Sequence, residues 1–196
     1  MKRQVTQQDL LFFNAFVPLG NDELSAAMQC FSIKTFESDC RIFSANDRPR
    51  HIWFLIDGIG RYFYLDKNGK EKNKSLVKPG GAFASISTLV NNESSYFYTQ
   101  TITCCTTMEI HYSDLIKLAD TYSQWSLFVR KVYENLALKQ EKRKASLLMM
   151  SAQERYELFL QEFAEESHLI PLKQVAMYIG ITDVSLSRIR RKMGLT

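Results

Sequence analysis

The sequence is poor in residues that break or cross-link a chain: four cysteines, four prolines and eight glycines in 196 residues. Cys30, Cys40, Cys104 and Cys105 have no zinc, iron–sulfur or C-x-x-C spacing. They read as ordinary thiols, so no metal and no cofactor is expected. Neither proline nor glycine occurs between Gly81 and Pro171, which leaves that stretch free to form long helices. No apolar run reaches the roughly 18 residues that a membrane-spanning helix needs. Lys2 and Arg3 do precede an apolar run, but Asn14 and Pro18 interrupt it and Asn21, Asp22 and Glu23 follow, so it does not read as an export signal. Together with reduced cysteines, this places the expected location in the cytoplasm. No Ser-His-Asp, Cys-His or phosphate-loop pattern is present, and His51, His111 and His168 are scattered, so no enzyme is expected.

What the sequence does have is an uneven charge. Five of its 25 Lys and Arg, but only one of its 21 Asp and Glu, fall between Ile170 and Thr196. That short segment therefore accounts for the whole formal net charge of +4, and the rest of the chain is balanced. A basic cluster at one end suits contact with phosphates.

The hydrophobic pattern divides the chain. Residues 6–16 and Asn21–Cys30 read as short helices, the second capped by Asn21 or Asp22. From about Ser32 to Tyr112, short apolar runs alternate with turn signals such as Asp57-Gly58, Asp66-Lys67-Asn68-Gly69 and Pro79-Gly80-Gly81. This spacing predicts a compact antiparallel barrel or sandwich. Cys104 and Cys105, adjacent in one strand, should point to opposite faces. Helical periodicity then takes over: a short helix from Ser113-Asp114, a long one from about Ser123, and a third opened by the capping box Ser151-Ala152-Gln153-Glu154. The long helix carries Trp125, Phe128, Val129, Val132 and Leu136 on one stripe, which Leu147 extends. That stripe suits either a dimer seam or packing against the helix's own barrel.

The last segment is the most specific. Pro171 suits a first helical turn, and Val175, Ala176 and Ile179 face inward. Gly180 ends that helix in a left-handed conformation, and Thr182 caps the next. With Leu186 and Ile189 turned inward, the 100° step per residue puts Val184, Ser187, Arg188 and Arg191 on the outer face. An Arg/Ser face of this kind fits the major groove, where Arg donates twice to guanine and Ser reaches bases or phosphates. Asp183 can accept from a cytosine amino group. Lys173, Thr182, Ser185 and Lys192 are placed for phosphates.

These features together resemble the cyclic-AMP receptor/fumarate–nitrate regulator (CRP/FNR) family, over nearly the whole chain. The matching residues are Phe54-Leu55-Ile56-Asp57-Gly58, Arg61, Asp66-Lys67-Asn68-Gly69-Lys70-Glu71, Gly81-Ala82-Phe83, Ser151 to Tyr156, and Gly180-Ile181-Thr182 through Leu186 to Lys192. The ending is similar to the group common in Bacteroidetes. The resemblance implies an α+β fold: an antiparallel β-roll of the cyclic-nucleotide-binding type over 1–120, a dimerisation helix over 121–149, and a helix-turn-helix, winged-helix-like unit over 150–196. It implies a homodimer on a near-palindromic site in double-stranded DNA, and contact with RNA polymerase if the protein activates. The effector is unknown.

The chain departs from the family where the ligand binds. Members that bind cyclic AMP carry a Gly-Glu pair after the Gly-x-Phe and an Arg about ten residues later. Here Ala84-Ser85-Ile86-Ser87 and Ser94-Ser95-Tyr96 stand there, and no Arg or Lys lies between Lys78 and Lys117. A buried phosphate without a cation is poorly compensated. Phe83, Ser85, Ile86, Ser94, Ser95 and Tyr96 are the expected lining of a pocket that does not bind cyclic AMP in the usual way. Two readings follow: a DNA-binding regulator with an altered sensor, or a small-molecule sensor whose DNA binding is conditional.

Overall fold

The computed structural model describes residues 2–195. In chain order its strands are β1 (Lys2–Gln4), β2 (Phe31–Phe36), β3 (Arg41–Phe43), β4 (His51–Asp57), β5 (Gly60–Leu65), β6 (Glu71–Val77), β7 (Ala82–Phe83), β8 (Tyr98–Thr101) and β9 (Cys105–His111). Its helices are α1 (Gln7–Leu10), α2 (Asn21–Met28), α3 (Ile86–Asn91), α4 (Tyr112–Thr121), α5 (Ser123–Met149), α6 (Ala152–Glu162), α7 (Leu172–Ile179) and α8 (Asp183–Lys192). The strands form two antiparallel sheets, ordered β1-β2-β9-β4-β7 and β3-β8-β5-β6. Their inner faces close on Phe36, Phe43, Trp53, Leu55, Val77, Phe83, Phe97 and Cys105, which is the expected antiparallel roll. Cys104 is exposed and Cys105 buried, as alternation across a strand requires.

A second core lies on the outer face of the larger sheet. Phe13 sits at its centre, with ring centroids 5.0 Å from Phe128, 5.1 Å from Phe31, 5.2 Å from Phe54 and 5.3 Å from Trp125. Trp125 and Phe128 are fully buried within their own chain. This corrects their assignment to a dimer seam: heptad spacing groups side chains on one face, and here the roll and N-terminal helices of the same chain cover that face. Val129 and Val132 pack at the edge of this core, while Leu136 stays exposed.

The third core joins the roll to the C-terminal helices. Ile59 and Leu76 pack with Tyr156, Phe159, Phe163, Val175, Ile179 and Leu186. The capping box is formed: Ser151 accepts from the Glu154 amide, and the Glu154 carboxylate accepts from the Ser151 amide at 2.7 Å. Among the described residues no strand follows β9, so the expectation of a winged unit is not met. A 3-10 turn at Ser167–Leu169 links α6 to α7 instead. Near the N-terminus, the segment expected to be one helix is α1 followed by a 3-10 turn over Leu11–Ala15, and α2 is preceded by Gly20 at its cap position.

Candidate nucleic-acid interface and the interior of the roll

The two last helices are set by local chemistry. Gly180 takes φ +78°, and the Ile181 amide returns to the Ala176 carbonyl at 3.0 Å, closing α7. Thr182 Oγ1 accepts from the Ser185 amide at 3.2 Å and starts α8. Leu186 is buried against α7, with Ile189 and Met193 beside it. The opposite face is open: Val184 is 62% exposed, and Ser187, Arg188, Arg191 and Lys192 are exposed as well. Thr182 and Asp183 at the start of α8, and Lys173 in the first turn of α7, are also on the surface. Ser185 is half-buried, with its hydroxyl 2.9 Å from that of Thr182. One of the five bases is removed from the open face. Arg190 donates to the Tyr156 hydroxyl at 2.7 Å and to the Leu195 carbonyl at 2.9 Å, fastening α8 to α6.

This helix pair is fixed to the roll. Gln174 on α7 accepts from Arg61 of β5 at 3.1 Å and from Asn73 of β6 at 2.9 Å, and its carbonyl accepts from Asn73 at 3.0 Å. Arg61 is almost fully buried and also meets Glu71 at 2.7 Å and Gln100 at 2.6 Å. The sequence motif containing Arg61 and Glu71 is thus part of an inter-element clasp. Its partners lie about a hundred residues away, which sequence spacing does not show.

Inside the roll, the expected lining is only partly brought together. Phe83 is buried in the interior, where its ring lies so close to Gly60 that a Cβ there would meet Phe83 Cζ at 2.4 Å. Ser85 and Ser95 are buried, but their hydroxyls serve their own loop: Ser85 accepts from Thr88 at 2.9 Å, and Ser95 donates to the Phe97 carbonyl at 2.9 Å. Ser94 is half-buried beside Arg48, at 3.4 Å. Ile86 and Tyr96 correct the expectation. Both stand at the surface, Tyr96 at 66% exposure with its hydroxyl 3.2 Å from Glu93, so neither lines an enclosed pocket.

Two residues that the sequence pattern did not single out, Tyr62 and Lys74, fill the interior instead. The Tyr62 hydroxyl donates to the Ala82 carbonyl and accepts from the Ala84 amide, each at 2.8 Å, and burial pushes its pKa well above the usual phenol range. Lys74 lies 4.0 Å from the Phe97 ring centroid and 5.2 Å from that of Tyr62. Burial lowers its pKa, and among the described residues no carboxylate pairs with it. Lys74 is the extra residue of a β-bulge, where Tyr62 pairs with Ser75 and Phe63 with Asn73. That bulge re-aims it inward, a detail of register that residue order alone does not carry.

Residues 33–122 match the family model described as the cyclic nucleotide-binding domain. A comparison with curated proteins finds no significant match. Many solved structures share the fold. FixK2 from Bradyrhizobium japonicum is 19% identical with a TM-score of 0.70, covering 83% of each chain. CLP of Xanthomonas campestris, described as a c-di-GMP responsive global regulator, is 13% identical with a TM-score of 0.69, covering 89% of this chain and 92% of its own. The catabolite activator protein of Thermus thermophilus is 18% identical with a TM-score of 0.56, covering 91% and 85%. Residues 33–122 of the roll are thus similar to a cyclic nucleotide-binding domain, within a chain that shares its fold with these proteins.

Proposed function

We propose that the protein is a homodimeric, sequence-specific transcription regulator of the CRP/FNR type, nearest the group common in Bacteroidetes, which works in the cytoplasm and is not an enzyme. The observation that carries this reading is the open face of α8. Val184, Ser187, Arg188 and Arg191 project from a helix whose other side is held by Leu186 and Arg190. In this reading α7 and α8 form a helix-turn-helix. Arg188 and Arg191 read base edges, Asp183 accepts from a cytosine amino group, and Lys173, Thr182, Ser185 and Lys192 hold phosphates. Two copies of α8 reach successive major grooves of a near-palindromic site. An activator of this kind would also touch RNA polymerase.

The test is binding of the purified protein to fragments selected from genomic DNA, followed by fluorescence anisotropy. Affinity is expected to fall steeply with salt, since Lys and Arg displace counterions. Arg188→Ala/Arg191→Ala is expected to lose at least about 2 kcal/mol, roughly thirtyfold, at specific sites. Retained affinity in this variant would overturn the groove assignment.

A second reading, conditional DNA binding governed by a small molecule in the roll, is favoured by the unpaired ammonium of Lys74. Cyclic AMP is not that molecule in our reading, because the loop after β7 has no cation and Tyr62 already occupies the Ala84 amide. Calorimetry with cyclic AMP and cyclic GMP checks this, and micromolar binding of either would refute it.

A further inference from the structure

Away from the roll interior and the open face of α8, a cleft of about 400 Å³ separates the second half of α5 from α6 and α7. That volume lies in the range of small-molecule sites. Its apolar surface comes from Leu138 on α5 and from Leu158 and Phe159 on α6. Its polar side is strongly cationic. Lys139, Lys142, Arg143 and Arg155 line it against a single carboxylate, Glu162.

These cations differ in how far their neighbours satisfy them. Lys139 pairs with Glu162 at 3.3 Å. Arg155 donates to the Ile179 carbonyl at 2.8 Å and the Met150 carbonyl at 2.6 Å, bonds that leave its charge uncancelled. Lys142 is exposed and has no hydrogen-bond partner among the described residues. Arg143 is the informative one. It donates to the Tyr178 carbonyl and stacks on the Tyr178 ring at 4.2 Å, yet its Nε is buried with no acceptor among the described residues. A buried donor left unmade costs about 1–3 kcal/mol. Burial also lowers the Arg143 pKa.

We propose that this cleft binds an amphipathic organic anion, with its carboxylate, phosphate or sulfonate oxygens on Arg143 and Lys142 and its apolar body against Leu138, Leu158 and Phe159. A guanidinium fork recognises such oxygens with two hydrogen bonds. The cleft's excess of cations disfavours a neutral occupant. A bound anion would bridge α5 to the helices that carry α8. The inference uses neither the DNA-reading face nor the roll, so it stands or falls independently of both.

The probe is 1-anilinonaphthalene-8-sulfonate, an aromatic anion of suitable size, titrated by fluorescence into the full chain. Its uncharged analogue N-phenyl-1-naphthylamine is titrated in parallel. One saturable site per chain is expected for the sulfonate, with the neutral analogue weaker by about tenfold or more, the difference one charge-assisted contact makes. Lys142→Glu and Arg143→Gln should each weaken the sulfonate by about tenfold, while Lys67→Glu, the same charge change on the β5–β6 turn, should leave it within about twofold. Lys142 is exposed, so its variant should fold even if Arg143→Gln does not. Absent or non-saturating binding, equal binding of the neutral analogue, or equal losses in Lys142→Glu and Lys67→Glu would each overturn the proposal.

Discussion

Gly180 makes the turn between α7 and α8 possible through its backbone alone. Its φ of +78° is costly for any residue with a Cβ, yet the nearest atom to a Cβ built there, Leu147 Cδ2, lies at an ordinary 3.6 Å. Gly180→Ala should therefore destabilise by about 1–2 kcal/mol, the left-handed cost alone, read as a lower urea midpoint with an unchanged slope. Asp9 shows the electrostatic counterpart. Two hydrogen bonds from Arg3, at 2.9 and 2.8 Å, and one from the Thr6 amide at 2.7 Å hold its carboxyl well below the usual carboxylate range. A lowered folded pKa means that the unfolded chain takes up the proton first. The stabilisation is complete above an unfolded value of about 4 and is lost progressively as pH falls below it. The gap between the thermal melts of Asp9→Asn and the parent should thus be constant above about pH 5 and should narrow progressively as pH falls below about 4. A gap that does not narrow would show that the carboxylate contributes no pH-dependent stability.

At the scale of elements, the sequence exposes those parts that are decided locally. The ends of α6, α7 and α8 were legible because the Ser151 and Thr182 side chains accept from amides three residues on, and Gly180 closes α7 through its own left-handed backbone. The open face of α8 was legible because Leu186 and Ile189 fix its rotation. Edge strands β1 and β3, three residues each, were not, since so short a stretch has too few alternations to register. The roll interior was legible as a deficit of cations but not as a structure. Lys74 turns inward through a bulge, and Tyr96 outward through its loop, and both depend on pairing across strands. The clasp between α7 and the β5–β6 hairpin is non-local in the same way. Gln174 is its acceptor, so Gln174→Ala leaves buried Arg61 and Asn73 each short of one partner. A loss of about 1–3 kcal/mol is expected, against no more than about 0.5 kcal/mol for the exposed neighbour in Lys173→Ala. Equal midpoints in urea would mean that the third core alone holds α7 to the roll.

For the whole molecule, the question is what pairs with α5. Its first turns are committed to its own chain through Trp125 and Phe128, so a seam must use the flank of the helix that the body leaves uncovered. Val129, Tyr133, Leu136, Gln140 and Leu147 follow one another along that flank at steps of three, four or seven residues. Val129 and Tyr133 are half-covered, and Leu136 and Leu147 are exposed at 37% and 45%. This spacing suits an isologous helix pair, in which each copy offers the same stripe. The cleft side of α5, with Leu138 and Lys142, faces α6 and α7 and stays outside such a seam. A charge in the middle of the stripe should then separate the copies without disturbing the fold, since exposed Leu136 belongs to no core cluster, whereas Leu147 lies beside Gly180 in the α7–α8 turn. Leu136→Glu is expected to sediment as a monomer with an unchanged melt of the buried core around Trp125. If, as proposed, a two-fold site is read by two α8 helices one helical turn of DNA apart, the monomer should keep only half-site contacts and bind a palindrome at least about a hundredfold more weakly. A variant that remained dimeric would move the seam elsewhere. One that became monomeric yet bound the palindrome at full affinity would break the link between dimerisation and DNA reading on which the proposed function depends.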